Sequence, residues 1–153
     1  MRIAIGSDHR GVDVREAMIR WLESEGHEVA DCGNFSTESC DYPDIAAEVS
    51  TRVASQQVDR GLLLCGTGIG MAITANKFEE VRAAVCNDEL AAEMSRRHND
   101  ANVICVSADH FREVNFASVL KTWLETEFEG GRHQRRVDKI GQIFREQCEA
   151  TNS

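Results

Sequence analysis

The chain has 153 residues, read as one domain over 1–153 with a full core, and its 42% hydrophobic and 28% charged content is that of an ordinary soluble globular protein. A formal net charge of -9 argues against a nucleic-acid partner, which needs a basic surface, and means that an anionic substrate requires local clusters of Arg and His. No apolar run approaches the ~20 residues of a membrane span, and the opening MRIAIGSDH is no signal peptide, so a cytoplasmic protein without a membrane partner is expected.

Arg2 to Gly6 reads as a short apolar strand that stops at Ser7-Asp8-His9-Arg10-Gly11. Val14, Met18, Trp21 and Leu22 recur at helical spacing, and Gly26 ends that helix. His27 to Asp31 is a second strand. A polar loop, Gly33 to Asp41, leads to Tyr42-Pro43-Asp44, where Pro43 suits the first turn of a helix carrying Ile45, Val49 and Val53 on one face. Leu62 to Cys65 is the apolar run that a buried parallel strand needs. Val81 to Cys86 is a fourth strand, and Asn87 or Asp88 caps a helix with Leu90, Met94 and His98 on one side. Val103 to Val106 is a fifth strand, followed by a helix with Ala117, Leu120, Trp123 and Leu124. After Gly130-Gly131 comes a last helix with Val137, Ile140 and Phe144, and the last few residues read as frayed. This alternation predicts an α/β fold: a five-stranded, mostly parallel sheet covered on both faces, with ligands bound beyond the carboxyl ends of the strands.

The stretch Arg60 to Met71, RGLLLCGTGIGM, carries the strongest chemical signal. A strand, a glycine loop and a helix in that order aim backbone N–H groups at one point, which favours an anion, and the Cys65 thiol ends the strand beside it. The spacing Gly-x-Gly-x-Gly fits neither the dinucleotide fingerprint nor a Walker loop. A tight turn preceded by a small buried thiol reads equally well. Asp8 and His9 directly follow a strand and reach the same edge, although Asp8 also suits a helix cap with His9 in solvent. His98, closing a helix, has a dipole partner as its plain alternative. Arg132 and Arg136 lie four apart, a repulsive spacing that a bound phosphate would reverse, or else they are simply solvated. The six cysteines are scattered without a Cys-x-x-Cys pair and read as reduced thiols, not a disulfide framework or zinc site.

The segments SDHRG, DYPD, CGTGIGM, RRHNDANV and EGGRHQRRV, in this order and spacing from Arg2 to about Phe144, resemble the ribose-5-phosphate isomerase B family, which includes the galactose-6-phosphate isomerase subunits. The resemblance implies a Rossmann-like three-layer sandwich with a C-terminal helix. It also implies a homodimer or dimer of dimers with active sites shared between subunits, and aldose–ketose isomerisation of a small sugar phosphate with no metal and no cofactor. Carried over by motif, Asp8 would take the anomeric proton and His98 would protonate the ring oxygen, with Asn99 beside the sugar. Cys65 would move the proton between C2 and C1, and Thr67 would shuttle protons on the sugar oxygens. The amides of Gly66, Thr67, Gly68, Ile69 and Gly70 would hold the enediolate, and Tyr42 would line the sugar site. His9, Arg132 and Arg136 would grip the phosphate. Ribose 5-phosphate is the simplest substrate; a 6-phosphohexose, a tetrose phosphate, or a non-catalytic phosphate-binding module are the alternatives.

One departure stands out. Many members of the family resembled carry Gly-x-Arg shortly after the fifth strand, with that Arg at the phosphate. Here the segment reads VSADHFRE, with Asp109 in its place. Arg112, three residues on, would take over part of the missing charge or neutralise Asp109, or else is simply a solvent-exposed side chain with no role.

Overall fold

The computed structural model describes residues 1–151, so part of the frayed end expected for the last few residues lies outside the described residues. The elements run β1 (Arg2–Ser7), α1 (Val12–Ser24), β2 (Glu28–Asp31), α2 (Tyr42–Ala54), β3 (Arg60–Cys65), α3 (Ile69–Ala75), β4 (Ala83–Val85), α4 (Glu89–Asn99), β5 (Val103–Ser107), α5 (Ala108–Phe111), α6 (Phe116–Glu125) and α7 (Arg132–Thr151). The five strands form one sheet in the order β2-β1-β3-β5-β4, and every neighbouring pair is parallel. The α/β expectation stands, with a sheet that is wholly rather than mostly parallel.

Alternation along each strand divides the core in two. Ile3, Ile5, Leu62, Leu64, Ile104 and Val106 face one side, where Val14, Met18, Leu22, Leu120 and Trp123 cover them from α1 and α6. Ala4, Leu63, Cys65, Val103 and Cys105 face the other, under Val49, Val53, Met71 and Ala75 of α2 and α3. A central strand sealed on both faces must be apolar at consecutive positions, which is why Leu62 to Cys65 shows no polar residue. The same parity turns the Cys65 side chain toward α2 and α3.

Three details differ from the sequence reading. The fourth strand is shorter, because Val81 and Arg82 precede it in the loop from α3. A single turn, α5, follows β5, with the Ser107 hydroxyl accepting from the His110 N–H as its cap. In α4 the inward residues are Ala92, Ser95 and Arg96, not the side shared by Leu90, Met94 and His98, and Leu90 is 68% exposed. The guanidinium of Arg96 is buried at no loss of partners: it donates to the Asp100 carboxylate at 2.8 Å and to the carbonyls of Ala101 and Thr126. Asp88, not Asn87, caps this helix, accepting from the Ala91 N–H at 2.7 Å, while the Asn87 side-chain carbonyl accepts from the Ser107 N–H at 2.8 Å. Along α7, Val137 and Phe144 are half-buried but Ile140 and Ile143 are exposed, since this helix meets the body chiefly at α4.

Candidate active site

Two loops meet at the carboxyl edge of the sheet because β1 and β3 are neighbours. Ser7 pairs with Leu64, and the Asp8 N–H donates to the Leu64 carbonyl at 3.1 Å, so Asp8 stands level with Cys65. Both are enclosed, each 6% exposed. Asp8 does not cap α1, whose N-cap is Gly11; instead its Oδ1 accepts from the Arg10 N–H at 2.9 Å, closing a tight turn. The Cys65 Sγ accepts from the Gly68 N–H at 3.1 Å, and the Thr67 hydroxyl accepts from the Ile69 N–H at 3.3 Å. Two of the amides expected to face a substrate oxyanion therefore serve the loop itself. Gly68 lies in the left-handed region at φ 79°, which lets the chain double back into α3. Tyr42, at the start of α2, lays its ring over Gly70 and brings a phenol to the same rim. His9 completes the group, its Nδ1 facing the Cys40 N–H at 3.4 Å.

The remaining expected residues lie at the other end of the molecule. α4 starts at the carboxyl edge, beside Ser107, and runs back to the start of β5, so His98 and Asn99 emerge at the amino edge. β5 has five residues, so the two groups are roughly 16 Å apart along the sheet at ~3.3 Å per residue. Arg132 and Arg136 open α7 at that far end, both exposed. The sequence-expected residues thus form two clusters: Asp8, His9, Tyr42, Cys65, Thr67 and the glycine loop in one, and His98, Asn99, Arg132 and Arg136 in the other.

The second cluster is itself ordered. The rings of His98 and His133 stack with centroids 4.3 Å apart and planes 5° from parallel. His133 is 5% exposed, and burial, followed by the charges of His98 and Arg132, holds its imidazole below the ordinary histidine range. Glu129 faces both rings, its Oε2 3.4 Å from His133 Nε2 and 3.9 Å from His98 Nε2. Arg97 donates to the same carboxylate and pulls its pKa down. His98, Glu129 and His133 are a set of three metal-ligand types within 4.8 Å of one another. Ring nitrogens bind an ion in the ring plane, and two stacked planes share no such point, so this pair would have to unstack to hold one ion. Arg97 on the carboxylate and Arg132 beside His133 further disfavour a cation.

The profile of the ribose/galactose isomerase family matches residues 3–140 of this sequence. The chain belongs to that family. It is 42% identical over 142 residues to the ribose-5-phosphate isomerase B of Escherichia coli strain K12, covering 93% of this chain and 95% of that one. It superposes on the Clostridium thermocellum ribose-5-phosphate isomerase B with a TM-score of 0.92 and 43% identity, over 96% of this chain and 99% of that one. The Mycoplasma genitalium ribose-5-phosphate isomerase B, solved with bound ribulose-5-phosphate, superposes with a TM-score of 0.91 at 37% identity, over 95% and 97% of the two chains. These comparisons bear out the resemblance read from the five motifs and the Rossmann-like fold expected from it.

Within this member of the ribose/galactose isomerase family, Arg10 and Arg15 take part near the site without being singled out in the sequence. Arg15 is buried in α1, where its Nη1 donates to the Ser7 hydroxyl at 2.9 Å and the Asn34 carbonyl at 2.6 Å, and its Nε lies 3.1 Å from Asp31. It thereby ties β1 to the polar loop that carries Cys40 and leads to Tyr42. Asp109 accepts from Arg112 at 3.0 Å and also from Arg10. Arg112 additionally clamps Asp13, whose carboxyl it holds below the ordinary range. Arg112 therefore neutralises Asp109, the second of the two roles expected for it. Arg112–Asp109 shows in the local spacing, but the Arg10–Asp109 and Arg112–Asp13 pairs span 99 positions, so no local pattern marks them.

Proposed function

We propose that this chain is an aldose–ketose isomerase that interconverts ribose 5-phosphate and ribulose 5-phosphate, working as a homodimer or a dimer of dimers in the cytoplasm. The observation that carries the reading is the pairing of Asp8 with Cys65. One register of the β1–β3 ladder sets a carboxylate beside a thiol, against a glycine loop, at the sheet edge where ligands bind. A phosphate-binding module has no need of such a pair.

In this reading Asp8 takes the proton of the anomeric hydroxyl while His98 of the partner subunit gives one to the ring oxygen, and the furanose opens to the aldehyde. Cys65, as thiolate, removes the proton at C2, and the electron pair moves through the new C1–C2 double bond onto O1. The enediolate is held by loop amides not already committed to Cys65 and Thr67. Thr67 passes a proton between O2 and O1, and the Cys65 thiol returns its proton to C1, giving the ketose. Tyr42 borders the sugar, and Asn99 of the partner subunit lies beside it. His9 and the partner subunit's Arg132 and Arg136 take the phosphate. The roughly sheet-length gap between Cys65 and His98 within one chain supports a site shared by two copies. No metal or cofactor enters any of these steps.

Asp109 favours a second reading. A carboxylate lining the same cavity as His9 changes the anion site, which suits a sugar phosphate of different length, such as a tetrose phosphate or a 6-phosphohexose. Purified protein incubated with ribose 5-phosphate, with ketose read by colour development, tests the first reading. A panel of aldose phosphates at matched concentration separates it from the second. Turnover of none of them would overturn both.

A further inference from the structure

We infer that Arg10, tethered by Asp109, is a substrate-binding residue that supplies the phosphate site of this chain with a cation from the β1 loop. The inference rests on the isomerase reading and deepens it. A cavity of about 530 Å³ at the β1 loop is bordered by His9 and Arg10, by the carboxylates of Asp13, Glu16 and Asp109, and by Arg112. Its two guanidiniums are not equivalent. Arg112 is fully engaged: Nε and Nη2 donate to Asp13, Nη1 to Asp109 at 3.0 Å, and Nη2 also to the Arg10 carbonyl. Arg10 uses Nη2 alone, on Asp109, and among the described residues its Nε and Nη1 have no acceptor. The open Nε–H and Nη1–H point to opposite edges of the planar group, and either one, with the second hydrogen of Nη2, presents the fork that an oxyanion takes.

The position of that fork is fixed. The Arg10 N–H is held by Asp8, its carbonyl by Arg112, and its tip by Asp109. Between these anchors the side chain crosses the glycine loop: a Cβ on Gly66 would lie 3.2 Å from Arg10 Nε and 3.6 Å from Cζ. Gly66 directly follows Cys65. A sugar whose C2 sits at the thiol therefore has Arg10 within reach of its chain. Asp109 alone would repel a phosphate, but two arginines share its charge. Its remaining effect is to hold Arg10 extended, so the ordering of a long side chain is complete before the ligand arrives.

The test compares wild type with Arg10→Ala, Arg10→Lys and Arg10→Gln at low salt. Steady-state isomerisation of ribose 5-phosphate gives KM and kcat, and calorimetry with inorganic phosphate gives an affinity independent of turnover. Loss of a charge-assisted hydrogen bond predicts that Arg10→Ala raises both KM and the phosphate Kd ~10- to 100-fold, with kcat within about threefold. Lysine should recover part of the loss and glutamine little. A purely structural tie between the two loops would instead lower the melting temperature and leave the phosphate Kd unmoved. Phosphate binding that is absent in wild type, or altered less than twofold in Arg10→Ala, overturns the proposal. If Arg10→Ala does not fold, the Lys and Gln variants are read against the same thresholds. If wild type isomerises no aldose phosphate the isomerase reading fails, and calorimetry still decides the role of Arg10.

Discussion

The ring of Tyr42 covers Gly70 so closely that a Cβ there would sit 2.6 Å from two of its carbons. The obstruction is the far end of a side chain that is 39% exposed, so the phenol can swing outward at little cost. Alanine also suits a helix better than glycine by ~1 kcal/mol. Gly70→Ala should therefore melt within a few degrees of wild type yet raise KM for the sugar phosphate, because Tyr42 leaves the rim. Gly68→Ala makes the contrast. There φ is 79°, and the added carbon meets the Val106 backbone at 3.0 Å, which cannot step aside. That strain costs on the order of 1–3 kcal/mol, so this variant should lose stability as well as turnover. Melting curves beside KM values check both, and a large melting loss in Gly70→Ala with unchanged KM would refute the account.

The cysteines should separate by role. Cys65→Ala should lose at least ~10²-fold in kcat, the ordinary size of a general-base effect, with the fold retained. Cys105 is wholly buried under α2 and α3, and burial drives its thiol well above the normal range, so it is inert. Cys86 is pushed to about 11 by the same cause. Alanine at Cys105 should cost ~1 kcal/mol or more of stability while sparing kcat. Near-normal turnover by purified Cys65→Ala would sink the assignment of the base.

Acid should weaken the fold in two windows. Unfolded His133 takes its proton near pH 6.5, but the buried imidazole takes it only at lower pH. The unfolded state therefore holds more protons in that interval, and stability falls as pH drops below about 6.5. Glu129, held below its ordinary 4.5 chiefly by the Arg97 hydrogen bond, gives stability that is full above that value and lost below it. His133→Phe keeps a flat ring against His98 but has no proton to take. Its melting temperature should fall less between pH 7.5 and 5.5 than that of wild type. Some decline persists through His27, whose pKa is also lowered, first by burial and then by the terminal amine. Parallel curves for the two proteins would exclude the His133 contribution.

Subunit exchange tests the shared site. Cys65→Ala and Arg132→Ala should each be nearly inactive alone. Mixed after verified exchange, they should recover part of wild-type activity, since a mixed pair contains one site with both groups intact. No recovery after verified exchange would count against a shared site.

The strands, the order of the helices and the chemical loop were legible because each rests on local patterning: apolar runs for sealed strands, period-3.6 faces for α1, α2 and α6, and glycines where the chain reverses. The side of α4 marked by Leu90, Met94 and His98 gave no guide to its inner face, because α4 turns small residues and a buried, fully partnered Arg96 toward the sheet. No periodicity marks an arginine whose partners are the end of its own helix and a carbonyl at Thr126. The single turn α5 is too short for any pattern to show. Arg10 stood in the right loop, but its meaning depends on Asp109, 99 positions away. The separation of Cys65 from His98 follows from one ending a strand and the other ending a helix that runs back. That point is topological and needed the element directions, not the residue types.

Two chemical groups fixed at opposite ends of a rigid sheet cannot be brought together by any motion of a loop. On the shared-site reading, a solitary chain would be a latent half-enzyme, silent until it meets its like. Under progressive dilution the rate would cease to track the amount of protein and fall with its square, so the cell's stock of subunits, as much as the sugar supplied, would set the flux.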